Sequence, residues 1–324
     1  MAEERADRKE TSHVKPTVLQ LGPLLPLVEQ GLAENYELLR LHQAPDAAAF
    51  LAEHGAAIDA FASSGRNGVN AALIDAAPNL KLIAHFGVGY DNVDVEHAKR
   101  KGVVVSNTPD VLTDCVADLA MALLIDVARG ITAGDRYVRA GGWLKGPMPL
   151  AFKASGKRLG IVGLGRIGRA IATRAEGFDM EIRYHNRRQS PDAPYPFEHS
   201  LPELARWCDF LMVATSGGES TRGLVSAAVI EALGPKGYVV NIARGSVIDE
   251  PALIAALAEK RIAGAALDVF ADEPRVPQAL IALDNVVLTP HIASATTDTR
   301  AAMGQLVLDN LASFFTSGRA ITPV

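Results

Sequence analysis

The sequence predicts an α/β protein built from two doubly wound, parallel-sheet units, and three observations carry that reading. Segments of strand and helix character alternate over residues 16–288, the signature of a parallel sheet. One apolar run, 159–162, breaks straight into Gly163, Gly165 and Gly168 before a helical pattern resumes. With 324 residues, 48% of them hydrophobic, the chain can fill two packed cores.

In chain order, residues 1–14 form a polar, charged arm, expected to be disordered and unlike a signal peptide. Residues 16–21 read as a strand stopped by Gly22-Pro23. A helix is predicted over 45–53, a strand over 58–62, a helix over 70–77, and strands over 81–84 and 103–106, which together make a first α/β unit. Residues 113–130 read as a long helix, capped by Thr113 or Asp114 and stopped by Gly130. Apolar over much of its circumference and lying between the units, it is a candidate hinge and subunit interface. Loop 141–147 displays Trp143. The second unit takes strands 159–162, 180–184, 209–215, 238–242, 265–270 and 286–288, with helices 226–233 and 251–259. A final helix, 296–317, has no strand after it and is expected to cross back onto the first unit.

Composition excludes several roles. A net charge of -5, with no basic block, gives no electrostatic case for nucleic acid or an anionic membrane. No apolar run is long enough to span a bilayer, so a soluble, intracellular protein is expected. Cys115 and Cys208 lie in apolar, regular segments and read as buried free thiols; nothing in their spacing suggests a disulfide or a metal site.

The glycine turn carries the first chemical signal. Gly163 permits a tight turn, Gly165 lets a pyrophosphate approach bare backbone, and Gly168 lets the helix pack on the strand. Glycine turns without ligands are common, but a strand before, a helix after and a second strand at βαβ distance match a dinucleotide site. That second strand ends in Tyr184-His185-Asn186-Arg187-Arg188. An acid there would accept hydrogen bonds from a ribose 2′-OH and repel a 2′-phosphate; instead, two guanidinium groups can clamp one. Solvated turn arginines are the plain alternative. Their place beside the expected ribose favours NADPH, with NADH possible.

Open α/β sheets bind ligands beyond the carboxyl ends of their strands. In the first unit, Ser63-Ser64-Gly65 and the run 85–94 lie there, and Gly87 and Gly89 allow either an anion-binding nest or an ordinary turn. In the second unit the strand ends carry Arg244, Asp268, Glu273 and His291. A histidine, an acid and an arginine so placed suit hydride transfer to a 2-oxo acid. His291 would protonate the developing alkoxide, Glu273 would hold the imidazole and favour its charged form, and Arg244 would fix the carboxylate and polarise the carbonyl. Singly, each has a structural alternative as a core histidine, a loop carboxylate or a salt-bridge arginine. Joint occurrence at one rim favours a site.

The segments GLGRIG, NIARGSVIDEPAL, GAALDVFADEP and NVVLTPHIAS, with HFGVGYDNVD and NTPDVLTDCVADLA upstream, resemble the D-isomer-specific 2-hydroxyacid dehydrogenases. Within that family the chain is most similar to the glyoxylate, hydroxypyruvate and 2-ketogluconate reductases, over nearly everything after the polar arm. The resemblance implies a Rossmann coenzyme domain, 111–295, inserted in a flavodoxin-like substrate domain made of 15–110 and 296–324. Taken with the composition and the arginine pair, the reading is a cytoplasmic homodimer that reduces small 2-oxo acids with NADPH. By motif position Arg244, Glu273 and His291 are catalytic; Val88 and Gly89, with Ser64 and Arg244, bind substrate. Leu164, Gly165, Arg166 and Ile167 match the pyrophosphate turn and Asn186, Arg187 and Arg188 the ribose-phosphate contact. Ile242 and Ala243 match the nicotinamide wall, Asp268 the nicotinamide end, and Trp143 a subunit boundary. The chain departs from the family at 216–221, where many relatives carry a proline-containing loop. Glu273 in place of Gln argues against the formate dehydrogenase branch, and the absence of residues beyond Val324 against a serine-pathway phosphoglycerate dehydrogenase. NAD-dependent oxidation of a D-hydroxy acid, or a nucleotide-sensing corepressor or scaffold on the same fold, are the alternative readings.

Overall fold

The computed structural model describes residues 15–324, so the arm expected over 1–14 lies outside the described residues. The chain forms two compact units: the described residues up to Thr108 with Ala301–Val324, and Pro109–Arg300.

The first unit holds β1 (Thr17–Gln20), β2 (Glu37–Arg40), β3 (Ala60–Ser64), β4 (Leu82–Phe86) and β5 (Val104–Ser106), all parallel in the order β2-β1-β3-β4-β5. Leu19, Phe61, Ile83 and Val105 meet in one core, and β4 is buried along its length, as a parallel strand covered on both faces must be. The sequence pattern misses β2 and the helix before it, Pro26–Asn35. That helix buries only Val28 and Leu32, and β2 is an edge strand with no buried residue, so neither leaves an apolar period to read.

Helix Thr297–Ser317 enters this unit at Ala301 and lies close to Pro26–Asn35, because two glycines remove the obstruction. A Cβ at Gly31 would fall 2.5 Å from Leu308 Cδ1, and one at Gly304 would fall 2.8 Å from Val28 Cγ2. Beyond the helix, residues 322–324 run along the outer edge of β5. Val324 N donates to Val105 O at 2.9 Å and Asn107 N to Thr322 O at 3.2 Å, with an antiparallel bridge from Ser106 to Pro323.

The second unit holds β6 (Arg158–Val162), β7 (Glu181–His185), β8 (Phe210–Val213), β9 (Tyr238–Asn241), β10 (Gly264–Leu267) and β11 (Val286–Leu288). They are parallel in the order β7-β6-β8-β9-β10-β11, which puts the switch of winding between β6 and β8. Beyond β7, a parallel bridge joins Tyr184 to Phe197.

Helix Thr113–Arg129 belongs wholly to this unit and packs on helix Arg166–Glu176 and on β9 and β10, so it is not a connector outside both units. Its cap is Leu112, without a side-chain hydrogen bond, rather than Thr113 or Asp114; Gly130, at φ 62°, ends it as expected. Gly130 also opens an unexpected helix, Ile131–Arg139. A second unexpected helix, Leu201–Trp207, begins where Ser200 Oγ accepts from Glu203 N, a Ser-x-x-Glu signal that was readable in the sequence. Cys208 is buried, which pushes its thiol up to about 12; Cys115 is only half-buried, because one face of its helix is open. Among the described residues no helix is long and apolar enough to cross a membrane.

Candidate active site

At the end of β6 the three glycines have three different spatial reasons. Gly163 sits at φ 101°, and a Cβ there would lie 2.6 Å from the backbone of Thr215, where the chain leaves β8. A Cβ on Gly168 would fall 2.1 Å from Gly163 O, so the helix rests directly on the turn. Around Gly165 the position is open, with nothing within 4 Å. Gly165 is also the N-cap of helix Arg166–Glu176 and no side chain caps it, so the donor end of the helix adjoins that open space. The turn fits a coenzyme pyrophosphate. Leu164 is buried, and its N–H donates to Asn186 Oδ1 at 2.7 Å, which holds the turn. Arg166 pairs with Asp110 at 2.7 Å and Ile167 is half-buried.

Asn186 thereby ties the end of β7 to the turn, and Arg187 and Arg188 follow it, both exposed. No carboxylate stands at residues 184–189.

The catalytic candidates come together at the ends of β9, β10 and β11. Asn241, buried at the end of β9, accepts from Ala243 N at 3.0 Å and donates to Arg244 O at 3.0 Å, which folds the loop that carries Arg244. Sequence reasoning overlooked Asn241, although a lone amide closing an apolar strand was the available sign. Ile242 and Ala243 are buried beside it. Gly245 then meets the next loop so closely that a Cβ would lie 1.9 Å from Phe270 C. That loop carries Glu273, whose Oε1 accepts from Phe270 N at 3.1 Å and whose Oε2 lies 2.7 Å from His291 Nδ1.

Burial alone would raise the Glu273 carboxyl. The hydrogen bond and charge of His291, the Phe270 N–H and the charge of Arg244 outweigh it and hold the group below its ordinary range. An ionised Glu273 can only accept, so Nδ1 carries the hydrogen in that bond and Nε2 is the nitrogen left for chemistry.

Asp268, expected at the nicotinamide end, closes β10. It is 0% exposed, and it accepts from Thr289 Oγ1 at 2.7 Å, Ile292 N at 2.8 Å and Ala293 N at 2.9 Å. Its carboxylate anchors the chain on both sides of His291.

In the first unit, Gly87 O accepts from Thr108 N at 2.9 Å and Val88 O from Asn107 Nδ2 at 2.9 Å. In a trans peptide the C=O and the following N–H point opposite ways, so the N–H groups of Val88 and Gly89 both face away from those partners. The Ser64 hydroxyl donates locally, to Asn67 Oδ1 at 3.1 Å.

Residues 121–293 match the family profile described as D-isomer specific 2-hydroxyacid dehydrogenase, NAD binding domain. The chain is 46% identical to a hydroxyphenylpyruvate reductase of Plectranthus scutellarioides over 95% of its length and 98% of that protein's. It is 42% identical to a 2-ketogluconate reductase of Gluconobacter oxydans, over 96% and 99% of the two chains. Its structure resembles that of an NADPH-dependent glyoxylate/hydroxypyruvate reductase from Sinorhizobium meliloti solved with NADP and malonate, with a TM-score of 0.91, 44% identity, and 96% and 97% of the two chains covered.

Two glycine substitutions separate ligand space from packing space. Gly165→Ala should leave the unfolding midpoint near that of the parent while weakening coenzyme binding at least tenfold, because the methyl enters only the open position. Gly168→Ala should destabilise the protein by about 1–3 kcal/mol through overpacking. Thermal unfolding alongside coenzyme titration checks both; a Gly165→Ala protein that binds like the parent would refute the pyrophosphate assignment.

Proposed function

The chain belongs to the D-isomer-specific 2-hydroxyacid dehydrogenases, NAD(P)-dependent oxidoreductases, and from that premise we propose that it is an NADPH-preferring reductase of small 2-oxo acids. The observation that carries the reading is the 2.7 Å contact of His291 Nδ1 with Glu273, at the strand ends that also carry Arg244. Glyoxylate, hydroxypyruvate, hydroxyphenylpyruvate and 2-ketogluconate, for which the relatives are named, share only the 2-oxo carboxylate, so that group is what the site recognises.

In this reading Arg244 binds the substrate carboxylate and polarises the carbonyl through its planar guanidinium. Gly165 and the amino terminus of helix Arg166–Glu176 hold the coenzyme pyrophosphate, Arg187 and Arg188 its 2′-phosphate, and Ile242 and Ala243 the wall beside its ring. The bound nicotinamide supplies the hydride. His291 delivers the proton to the developing alkoxide from Nε2, while Glu273, ionised, keeps Nδ1–H in place. The Arg187-Arg188 pair, in place of an acid after β7, supports NADPH over NADH, as does the NADPH-dependent relative.

A homodimer, in the cytoplasm, completes the proposal. Residues 131–150 expose Ile131, Val138, Trp143, Leu144 and Leu150, with Trp143 71% and Leu144 94% exposed, an apolar stretch suited to a second copy of the chain.

Initial rates with NADPH and NADH over a panel of 2-oxo acids test the activity. Replacing Arg187 and Arg188 by uncharged residues and placing Asp at 186 should reverse the preference, at a loss of about 2–4 kcal/mol for NADPH. An unchanged kcat/KM ratio refutes the clamp. In Glu273→Gln the carboxylate that accepts from Nδ1–H is lost while an amide oxygen remains, so reductive kcat should fall by about tenfold or more with NADPH binding near normal; an unchanged kcat would show that Glu273 does not support His291. Sedimentation velocity should give a dimer for the parent and a shift to monomer for Leu144→Glu/Leu150→Glu.

A further inference from the structure

Arg187 and Arg188 are exposed side chains on a surface loop, and by themselves such groups lose considerable rotamer freedom on clamping a phosphate. The structure pins the loop on both sides of them. Before them, Asn186 Oδ1 accepts from Leu164 N at 2.7 Å. After them, Ser190 is held twice: its N–H donates to Tyr184 Oη at 3.0 Å, and its hydroxyl accepts from Arg169 Nη2. Tyr184 Oη also donates to Ser190 O, at 3.4 Å.

Tyr184 is a wholly buried side chain of β7, so its hydroxyl is a rigid post. Its backbone binds the same segment farther along, Tyr184 N donating to Pro196 O at 3.1 Å and Glu198 N to Tyr184 O at 2.8 Å, and its ring lies 5.3 Å from that of Phe197. The residues carrying the two arginines therefore span a short gap between fixed points.

We infer that Tyr184 and Ser190 are positioning residues for coenzyme selectivity, acting through Arg187 and Arg188. The inference rests on the reading above that those arginines hold the 2′-phosphate. A buried tyrosine whose hydroxyl served only folding would affect every coenzyme alike. A post that holds the arginine loop affects only ligands with the 2′-phosphate.

The experiment uses the full chain and two probes that differ in that group, 2′,5′-ADP and 5′-AMP, titrated calorimetrically. Tyr184→Phe, which removes two neutral hydrogen bonds, and separately Ser190→Ala, which removes the one from the Arg169 guanidinium, should each weaken 2′,5′-ADP by about five- to tenfold and leave 5′-AMP unchanged. The NADPH-to-NADH ratio of kcat/KM should fall by the same factor. In an Arg187→Ala/Arg188→Ala background, adding Tyr184→Phe should change nothing further. Equal weakening of both probes, no weakening of either by Tyr184→Phe and Ser190→Ala, or full additivity in the arginine-free background would overturn the inference. If the arginine double variant itself keeps the preference for 2′,5′-ADP, the underlying clamp fails and the inference falls with it. If that variant loses the preference while Tyr184→Phe and Ser190→Ala keep it, only the positioning role fails.

Discussion

Asp268, enclosed at the end of β10, ties together the chain on both sides of His291 by accepting from Thr289, Ile292 and Ala293. Enclosing a carboxylate is unfavourable by several kcal/mol unless its lone pairs are met. Hydrogen bonds to a charged group return roughly 1.5–3 kcal/mol each, so three of them make the enclosure sustainable. The return is positional as well. His291 sits at φ 53°, a left-handed conformation that a side-chain-bearing residue keeps only where its surroundings over-determine it. The anchored flanks supply that constraint, and the imidazole then has little choice but to meet Glu273.

Glu273 depends on the same arrangement one step out. One oxygen is fixed by Phe270 N, and the Phe270 backbone is pressed against Gly245, the residue after Arg244. A single line of close packing thus joins the loops after β9 and β10, and only a glycine could stand at its centre. The arginine, the acid and the histidine are set by three neighbours: Asn241, Gly245 and Asp268.

The coenzyme turn was legible in the sequence because each of its glycines answers to a separate spatial demand, and all three demands are met in the fold. The residues Arg244, Glu273 and His291 were legible as a set, since polar residues closing successive apolar strands must share one end of a parallel sheet. Legibility failed where packing, not local pattern, decides. Strand β2 and helix Pro26–Asn35 leave too little apolar signal, and Leu112 caps its helix with no capping side chain. The anchoring of Asp268 to Thr289, Ile292 and Ala293 spans more than 20 residues and leaves no local sign. The bond from Leu164 N to Asn186 pairs residues 22 apart, which no local window can register.

The two margins of the first unit's sheet are protected by different means. At β5 the chain's own residues 322–324 lie antiparallel along the rim and take up its amides and carbonyls. At β2 the rim is four residues long and bounded by Glu37 and Arg40. A crowded solution rewards any bare row of backbone groups that a neighbouring molecule can copy onto, and each of these margins denies that template, one by occupation and the other by brevity and charge. Trimming residues 322–324 would therefore expose a nucleus for templated growth at high protein concentration, a hazard unrelated to catalysis and invisible to any activity assay run dilute.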